Sequence, residues 1–365
     1  MTTRRDFIKK LMTGAAAVSL GSVLPGVVSA RAAGANERIR IGVIGVNSRG
    51  NALAQGFAKM RDCEVTCVCD VDSRALAKCR EDIAKVCGRK PRGERDLRRL
   101  LESEDVDAVV IAMPDHWHAA AAVMAMKAGK PVYVEKPLAV SYEECCRINR
   151  VSQQTGVPCF VAYYRRYLPY FAKVKELIRN GSIGRVLNVQ IRFAVPPRDL
   201  DYNSRELPWR VQRDIAGGGY FYDLAPHQLD LLQEFFGPII KAHGYCSNRE
   251  GLYATEDNVS ACFQFPDGTP GFGSWCFVAH ESAKTDRIEI IGDKGQICFS
   301  VFTYDPIALH TERGREELVI PNPDHVQLPL IHNIVEHLQK QAICTCDSVS
   351  ATPVNWVMDK ILGKL

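Results

Sequence analysis

Between residues 38 and 163, short apolar runs rich in β-branched residues alternate with longer helical patterns. The apolar runs cover residues 38–45, 63–70, 108–113, 132–134 and 158–163. Strands that alternate with helices of this length are joined by crossover connections, which place the strands parallel to one another. The sequence therefore predicts an α/β fold whose first domain, residues 38–163, is built on a doubly wound parallel sheet.

The pattern changes after Tyr163. A helical segment at 170–180 precedes a series of strand-like segments at 185–194, 239–246, 258–265, 271–278, 286–291 and 296–301. Turn signals separate several of them, including Pro266-Asp267-Gly268 and Asp293-Lys294-Gly295. Closely spaced strands with such turns are typical of antiparallel meanders. Residues 164–365 are predicted to form a second, α+β domain with a mostly antiparallel open sheet and a final helix at 354–362.

The first 33 residues have the layout of an export signal. Arg4 and Arg5 precede an apolar run at 11–28, and small residues follow the run. Glycines and Pro25 interrupt the run, which argues against a stable membrane span. We expect residues 1–33 to be a twin-arginine signal and the protein to be periplasmic.

Composition narrows the class of protein. The net charge is only +4, and the one extended basic stretch, 89–99, contains Glu94 and Asp96, which argues against nucleic-acid binding. The 14 cysteines include no Cys-x-x-Cys pair and no Cys/His cluster with zinc spacing. We therefore expect no structural metal and mostly core thiols.

A glycine turn follows the first apolar run. Gly45-Val-Asn47-Ser48-Arg49-Gly50 leads from a strand into a helix, which is the context of a dinucleotide-binding fingerprint, although Asn47 replaces its second glycine. Asp70 ends the next strand near the ~20-residue offset at which a carboxylate binds the adenine ribose. A 2′-phosphate would meet a like charge there, so Asp70 favours NAD; nearby Arg74 leaves NADP open.

Two further stretches contain candidate catalytic residues. Glu135-Lys136 follows the apolar run 132–134, at the sheet edge where ligands bind. Pro226 fits the first turn of a helix, which places the predicted helix start near Asp223 and puts His227 on the same face. A carboxylate beside an imidazole orients it for proton transfer; the alternative is an N-cap at Asp223 with an incidental histidine.

These stretches occur in the order and at the spacing found in the glucose-fructose oxidoreductase and inositol dehydrogenase (Gfo/Idh/MocA) family, which the chain resembles over nearly everything after the signal. The resemblance implies a Rossmann domain at 38–163 and a substrate and oligomerisation domain at 164–365, in a homodimer or homotetramer. It also implies NAD(P)-dependent hydride transfer to or from a hydroxyl carbon of a sugar, polyol or glycoside.

The family's functional positions map onto this chain. Lys136 would bond the reacting hydroxyl and the nicotinamide ribose, while His227, held by Asp223, would move the proton. Arg165, Trp209 and Arg210 would face the sugar. The resemblance places the cofactor against Gly45, Asn47, Ser48, Arg49, Gly50, Asp70, Pro114, His118, Glu135 and Lys136.

Two alternatives to a simple dehydrogenase remain open, and predicted export raises the first of them. Nicotinamide cofactors are scarce outside the cytoplasm, so an exported enzyme would regenerate a retained cofactor, as in redox-neutral NAD-dependent glycoside hydrolases. A non-catalytic sugar or nucleotide sensor on the same fold is the other alternative. Lys136 favours an oxidoreductase over such hydrolases, and Lys136, Asp223 and His227 together argue against a sensor.

Overall fold

The computed structural model describes residues 38–365, and the predicted export signal lies outside them. Six strands form the first sheet: β1 (Ile39–Ile44), β2 (Cys63–Cys69), β3 (Arg92–Glu94), β4 (Ala108–Ile111), β5 (Val132–Val134) and β6 (Cys159–Val161). All pairs are parallel in the order β3-β2-β1-β4-β5-β6, which confirms the predicted doubly wound sheet. The order reverses between β1 and β4, and ligands bind at such a point in open α/β sheets.

Helices cover both faces of this sheet: α1 (Arg49–Ala58), α2 (Ser73–Cys87), α3 (Leu97–Leu101), α4 (His118–Lys127) and α5 (Tyr142–Thr155). Their ends follow local chemistry. The Asp72 side chain accepts a hydrogen bond from the Arg74 N–H at the start of α2, and Gly88 ends that helix in the left-handed region. Ser141 and Gly156 do the same for α5.

The second domain is built on an eight-stranded sheet. Its strands are β7 (Val186–Ala194), β8 (Lys241–Ser247), β9 (Asn258–Gln264), β10 (Pro270–Cys276), β11 (Thr285–Gly292), β12 (Gly295–Phe299), β13 (Ile307–Thr311) and β14 (Gly314–Leu318). The order is β14-β13-β12-β11-β7-β10-β9-β8, and the central β7–β10 pair is parallel while the others are antiparallel. The predicted mostly antiparallel sheet is confirmed, although the sequence analysis did not predict β13 and β14.

Five helices belong to the second domain: α6 (Pro169–Arg179), α7 (Arg213–Ala216), α8 (Gly219–Phe236), α9 (Leu328–Leu338) and α10 (Ser348–Ile361). Helix α10 returns to the first domain, where it packs on α5 and also contacts α8. Within residues 38–365, no helix combines the length and the apolar character that a bilayer span requires. All 14 cysteines in this range are unpaired, and nine of them are buried.

Helix α8 begins four residues before the position that the sequence predicted. Gly219 has φ +62°, and a Cβ atom there would lie 2.2 Å from the Thr255 hydroxyl oxygen, so only glycine fits the start. Pro226 therefore lies inside the helix rather than in its first turn. The predicted start near Asp223 was wrong. It assumed that Pro226 lies in the first turn, whereas the helix begins at Gly219, where Thr255 leaves no room for a side chain.

Candidate active site

A cleft of about 860 Å³ opens at the carboxyl ends of β1, β2 and β4. Four of the predicted cofactor residues line it: Gly45, Asn47, Asp70 and Pro114. Ala112 and Met113, which follow β4, form its inner end. The cleft thus lies at the strand-order reversal, where the sequence analysis placed the cofactor.

The glycine turn brings the start of α1 directly against the end of β1. A Cβ atom on Gly45 would lie 2.8 Å from the Met113 nitrogen, and one on Gly50 would lie 1.8 Å from the Gly45 oxygen. Gly45 and Ser48 both have positive φ, at +80° and +44°. No side chain caps the first turn of α1, where the Gly50 N–H donates to the Asn47 oxygen at 3.1 Å, and the remaining N–H groups of the turn can bind an anion. This cradle fits the pyrophosphate of a dinucleotide.

Asp70 is held at the mouth of the cleft by two backbone bonds. Its Oδ2 accepts a hydrogen bond from the Val46 N–H at 2.8 Å, and its Oδ1 accepts one from the Asp72 N–H at 2.9 Å. Each carboxylate oxygen keeps a second lone pair for another donor. The position therefore fits a residue that accepts hydrogen bonds from ribose hydroxyls, and it also ties the glycine turn to β2.

A second cavity of about 310 Å³ continues from the inner end of the cleft, and Ala112 and Met113 line both spaces. The structure brings the three predicted catalytic residues, Lys136, Asp223 and His227, together in this cavity. The predicted sugar-facing residues Arg165, Trp209 and Arg210 also line it, as do Arg49 and Glu135. Its walls come from both domains.

Lys136 and Asp223 form the closest polar contact of the cavity. The Lys136 Nζ donates to Asp223 Oδ1 at 2.7 Å and to the Asp223 carbonyl at 2.9 Å. The Arg210 Nε lies 3.3 Å from the other carboxylate oxygen. Burial opposes ionisation of Asp223, yet the charges of Lys136 and Arg210 outweigh it and hold its pKa below the usual value. Asp223 is therefore the anion that positions the lysine.

His227 differs from the prediction that Asp223 orients it. Its Nδ1 is buried and has no hydrogen-bond partner among residues 38–365, and Asp223 pairs with Lys136 and Arg210 instead. The imidazole packs edge-on against the Tyr164 and Phe302 rings. Burial first, and then the positive charges of Arg165 and Lys136, hold its pKa well below the usual range. His227 is thus a neutral imidazole on the cavity wall.

Two of the predicted sugar-facing arginines are already held by the protein. Arg165 is only 5% exposed, and its guanidinium donates to the Val301 carbonyl at 3.1 Å and to the Tyr164 hydroxyl at 2.8 Å. Arg210 lies over the Trp209 ring at 4.4 Å while it reaches Asp223. Both side chains contribute positive charge, and protein contacts alone set their orientation.

His118 and Glu135 contact the segments that carry the site residues. His118 is fully buried, with Nδ1 2.8 Å from the Pro137 oxygen and Nε2 2.9 Å from the Met113 oxygen. It therefore links the segments that follow β4 and β5 and lines neither space, in contrast to the predicted cofactor contact. Glu135 accepts a hydrogen bond from Gln327 at 2.8 Å and lies 3.9 Å from the Arg49 guanidinium.

Asp115 also lines the second cavity, although the sequence did not predict it as a site residue. A single acidic residue after a proline matches no motif of its own. Its position directly after a strand of the parallel sheet was the available clue, since ligands bind at that edge.

Comparisons with known proteins agree with this geometry. Residues 39–163 match the oxidoreductase family with an NAD-binding Rossmann fold, and residues 171–298 match the GFO/IDH/MocA C-terminal domain. Oxidoreductase P35 of Formosa agariphila is 33% identical over 266 residues, which are 72% of this chain and 81% of that protein. Glycosyl hydrolase family 109 protein 2 of a Shewanella species is 31% identical over 241 residues, 60% of this chain and 52% of that protein.

Among solved structures, levoglucosan dehydrogenase in complex with NADH superposes with a TM-score of 0.79 over 90% of this chain and 96% of that one. At 22% identity, this similarity shows the fold alone.

A glycine-turn cleft that opens into a cavity with a buried lysine–carboxylate pair defines an NAD-binding oxidoreductase of the Rossmann class. Within that class, the two family matches and the similarity to Oxidoreductase P35 show that the chain belongs to the Gfo/Idh/MocA family.

Proposed function

We propose that this protein is an NAD-dependent dehydrogenase that transfers hydride between the hydroxyl carbon of a sugar, polyol or glycoside and the nicotinamide. The observation that carries the proposal is the 2.7 Å pair between Lys136 and Asp223 in a cavity that opens from the cofactor cleft. The shared walls at Ala112 and Met113 favour a bound dinucleotide whose reactive end lies beside that pair. A levoglucosan dehydrogenase of Pseudarthrobacter phenanthrenivorans, 26% identical to this chain over 290 residues, supports a sugar as substrate.

The residues of the cavity suit the chemistry of an alcohol. The cofactor supplies the hydride acceptor, and the protein must hold the hydroxyl and handle its proton. Lys136, fixed by Asp223, donates a hydrogen bond to the hydroxyl oxygen and stabilises negative charge that develops there. The neutral imidazole of His227 offers a second hydrogen-bonding group across the cavity.

Purified protein tests this proposal directly. Incubation with NAD and a panel of neutral and acidic sugars, polyols and glycosides, monitored by absorbance of reduced cofactor, is expected to show turnover. Lys136→Met is expected to lower kcat by roughly 100-fold or more while NAD binding persists. Lys127→Met replaces an exposed lysine of α4 and serves as the matched control, with unchanged kcat. No turnover of any panel member would contradict the proposal.

The family 109 relative keeps a redox-neutral glycoside hydrolase as the alternative, although this chain spans only 52% of its length. The two activities separate in one experiment. Denatured protein is analysed for released nucleotide, and native protein is then given glycosides without added NAD. Near-stoichiometric nucleotide with sugar release and no net cofactor reduction favours hydrolysis. An empty protein that turns over only with added NAD favours the dehydrogenase.

We also propose that the protein is exported by the twin-arginine route to the periplasm and that it assembles as a dimer or tetramer. The Arg4-Arg5 pair and the apolar run after it support export. Arg4→Lys with Arg5→Lys is expected to keep the protein inside the cytoplasm, while Lys9→Arg with Lys10→Arg leaves export unchanged. Cell fractionation tests the export of the protein, and light scattering of the purified protein tests its oligomeric state.

A further inference from the structure

Two adjacent arginines of the second domain are buried in different surroundings. The Arg166 guanidinium donates to Asp230 Oδ2 at 3.0 Å and lies 3.7 Å from Glu234. Arg165 is 5% exposed, yet no carboxylate oxygen of residues 38–365 lies within 4 Å of its guanidinium group. A buried arginine is normally paired with an acidic group. Arg166 follows this rule, whereas Arg165 lacks an anion.

The contacts of Arg165 hold its guanidinium group in place without neutralising it. Its Nε and Nη1 donate to the Val301 carbonyl and the Tyr164 hydroxyl, and both acceptors are uncharged. The guanidinium carbon lies 4.9 Å from the centre of the Tyr164 ring and 4.8 Å from that of Phe302. The third nitrogen, Nη2, donates no hydrogen bond within residues 38–365. Arg165 is therefore a fixed cation with a free donor in the wall of the second cavity.

The charged groups of the second cavity are distributed unevenly between its two walls. The wall from the first domain has two cations, Arg49 and Lys136, and two acidic groups, Asp115 and Glu135. The wall from the second domain has three arginines and one carboxylate, namely Arg165, Arg198, Arg210 and Asp223. Because Asp223 already binds Lys136, the second-domain wall keeps an excess of positive charge.

Arg198 is a second cation of this wall without an acidic partner. Its guanidinium carbon lies 4.3 Å from the centre of the Tyr220 ring, and no carboxylate oxygen of the described chain lies within 4 Å of the group. Unlike Arg165, Arg198 is exposed, so water screens its charge. Arg210 differs from both, because it lies 3.3 Å from Asp223. One buried and one exposed guanidinium group are thus available to an anion.

Arg165 lies beside residues of the proposed reaction centre. The His227 imidazole packs against the same two rings as Arg165, with ring centres 5.7 Å from Tyr164 and 5.8 Å from Phe302. The cavity, at about 310 Å³, lies at the lower end of the range for small-molecule sites. An anionic group at Arg165 and the reacting hydroxyl are therefore expected to belong to the same sugar unit.

We propose that the second cavity takes an anionic sugar or polyol, whose carboxylate or sulfate group binds Arg165 while its reacting hydroxyl lies at Lys136. This inference rests on the proposed dehydrogenase function and names the substrate class of that site. The planar fork of a guanidinium group matches two oxygen atoms of such an anion. A neutral sugar would leave the buried charge of Arg165 without an anion, so the site discriminates against it.

Substrates that differ only in charge test this inference. Glucose, glucuronamide, glucuronate and glucose 6-sulfate, with their galacto and manno counterparts, are compared as substrates with NAD. We expect kcat/KM for the uronate or the sulfate to exceed that for the amide by roughly tenfold or more. The amide is the decisive comparison, because glucuronamide has the shape of glucuronate without its charge. A preference for the uronate or for the sulfate identifies the source of the negative charge.

Variants of the two unpaired arginines locate the effect. Arg165→Met is expected to lower kcat/KM for the anionic substrate by roughly 100-fold and that for the neutral sugar much less. Arg165→Lys keeps the charge without the planar fork and should recover part of the loss. Arg198→Met removes an exposed side chain and should give a smaller loss of the same preference, even where Arg165→Met fails to fold. Arg179→Met, at the exposed end of α6, is the matched control with unchanged preference.

A binding measurement separates this inference from the proposed function. Wild type with NADH bound is titrated calorimetrically with the uronates and their amides, which requires no turnover. Tighter binding of a uronate that is lost in Arg165→Met supports the anion site even if no sugar is oxidised, and then only the dehydrogenase function fails. Uronates that bind no tighter than their amides, or neutral sugars that are oxidised as efficiently as the anionic ones, would overturn the anionic substrate class and leave the dehydrogenase function intact.

Discussion

The Lys136 ammonium group lies 2.7 Å from Asp223 Oδ1, although the two residues are 87 positions apart and belong to different domains. Both side chains are only 14% exposed, so water screens the pair weakly. The contact joins the end of β5 to helix α8 in the second cavity. It positions the lysine, and it is also a link between the two domains.

Breaking this pair from one side is expected to cost more than removing both charges. Asp223→Asn leaves Lys136 and Arg210 without an anion and should lower the free energy of unfolding by about 3 kcal/mol. Lys136→Met costs less, because Arg210 still neutralises Asp223. The double variant should therefore be less destabilised than the sum of the two single variants. Urea unfolding of all three measures the coupling.

An exposed pair on α6 provides the control for that cycle. Lys173 and Glu176 are 2.8 Å apart, with side chains 30% and 59% exposed. Their double-variant cycle, Lys173→Met with Glu176→Gln, should give a coupling energy below about 0.5 kcal/mol. A coupling energy between Lys136 and Asp223 as small as that of the control pair would contradict the buried-pair interpretation.

Asp115 should make stability depend on pH in the direction opposite to a salt-bridged carboxylate. Its folded-state pKa, about 8, lies above the unfolded value of ~3.9, so folding favours the protonated form. Stability is full below about pH 4 and falls as pH rises toward 8. Asp115→Asn is neutral throughout, so its melting temperature should exceed that of wild type near pH 8 and match it near pH 4.

The size of this difference follows from the shift. At 1.36 kcal/mol per pKa unit, the upper limit is about 6 kcal/mol, before any relaxation of the cavity. Melting curves of wild type, Asp115→Asn and, as a control that changes an exposed side chain, Asp105→Asn across this pH range measure it. A constant difference between wild type and Asp115→Asn at all pH values would mean that Asp115 is ionised in the folded protein.

The parallel sheet and the glycine turn could be predicted because their signals are local. Runs of β-branched residues, the Gly45–Gly50 spacing and an acid at the end of β2 all lie within short stretches of the sequence. Ligands bind at the carboxyl edge of such a sheet, and this rule alone places Lys136 near the site. Local sequence patterns and one rule about ligand binding in parallel sheets were therefore sufficient to predict the fold of the first domain and the location of its site.

Pairings across the domain interface could not be predicted in the same way. Helical spacing put Asp223 and His227 on one face, and the sequence contains no signal that Lys136, 87 residues away, would take the carboxylate instead. The buried His118 was likewise assigned to the cofactor, because its two backbone partners lie on segments that meet only in the folded chain. Strands β13 and β14 escaped prediction because they are short and partly exposed.

Variants of the two aspartates near the end of β2, Asp70 and Asp72, should distinguish an effect on cofactor preference from an effect on stability. Asp70→Ala removes the carboxylate at the cleft mouth and also frees the Val46 N–H, so NAD affinity should fall by roughly tenfold and the preference over NADP should shrink. Asp72→Ala removes the N-cap of α2 and the exposed pair with Arg74, and it should cost about 1 kcal/mol of stability with unchanged NAD affinity. Dissociation constants for NAD and NADP, with melting temperatures, distinguish the two effects. Equal loss of NAD and NADP binding in Asp70→Ala would mean that Asp70 only braces the turn.

Two glycines of α1 test the cofactor cradle. A Cβ atom at Gly50 would lie 1.8 Å from the Gly45 oxygen, which is backbone and cannot move aside, so Gly50→Ala must push α1 away from β1. We expect roughly a 100-fold loss of NAD affinity, because the first turn of α1 no longer meets the pyrophosphate. Gly56→Ala lies in the same helix, where the added Cβ would be 3.1 Å from the flexible end of Ile331.

The control should bind NAD normally, and its helix should gain up to about 1 kcal/mol from the better helix propensity of alanine. Calorimetric titration of both variants with NAD gives the comparison, and circular dichroism confirms that each is folded. If folded Gly50→Ala binds NAD as wild type does, the dinucleotide does not use the start of α1. The cleft would then have to hold the cofactor through Asp70 and the residues after β4 alone.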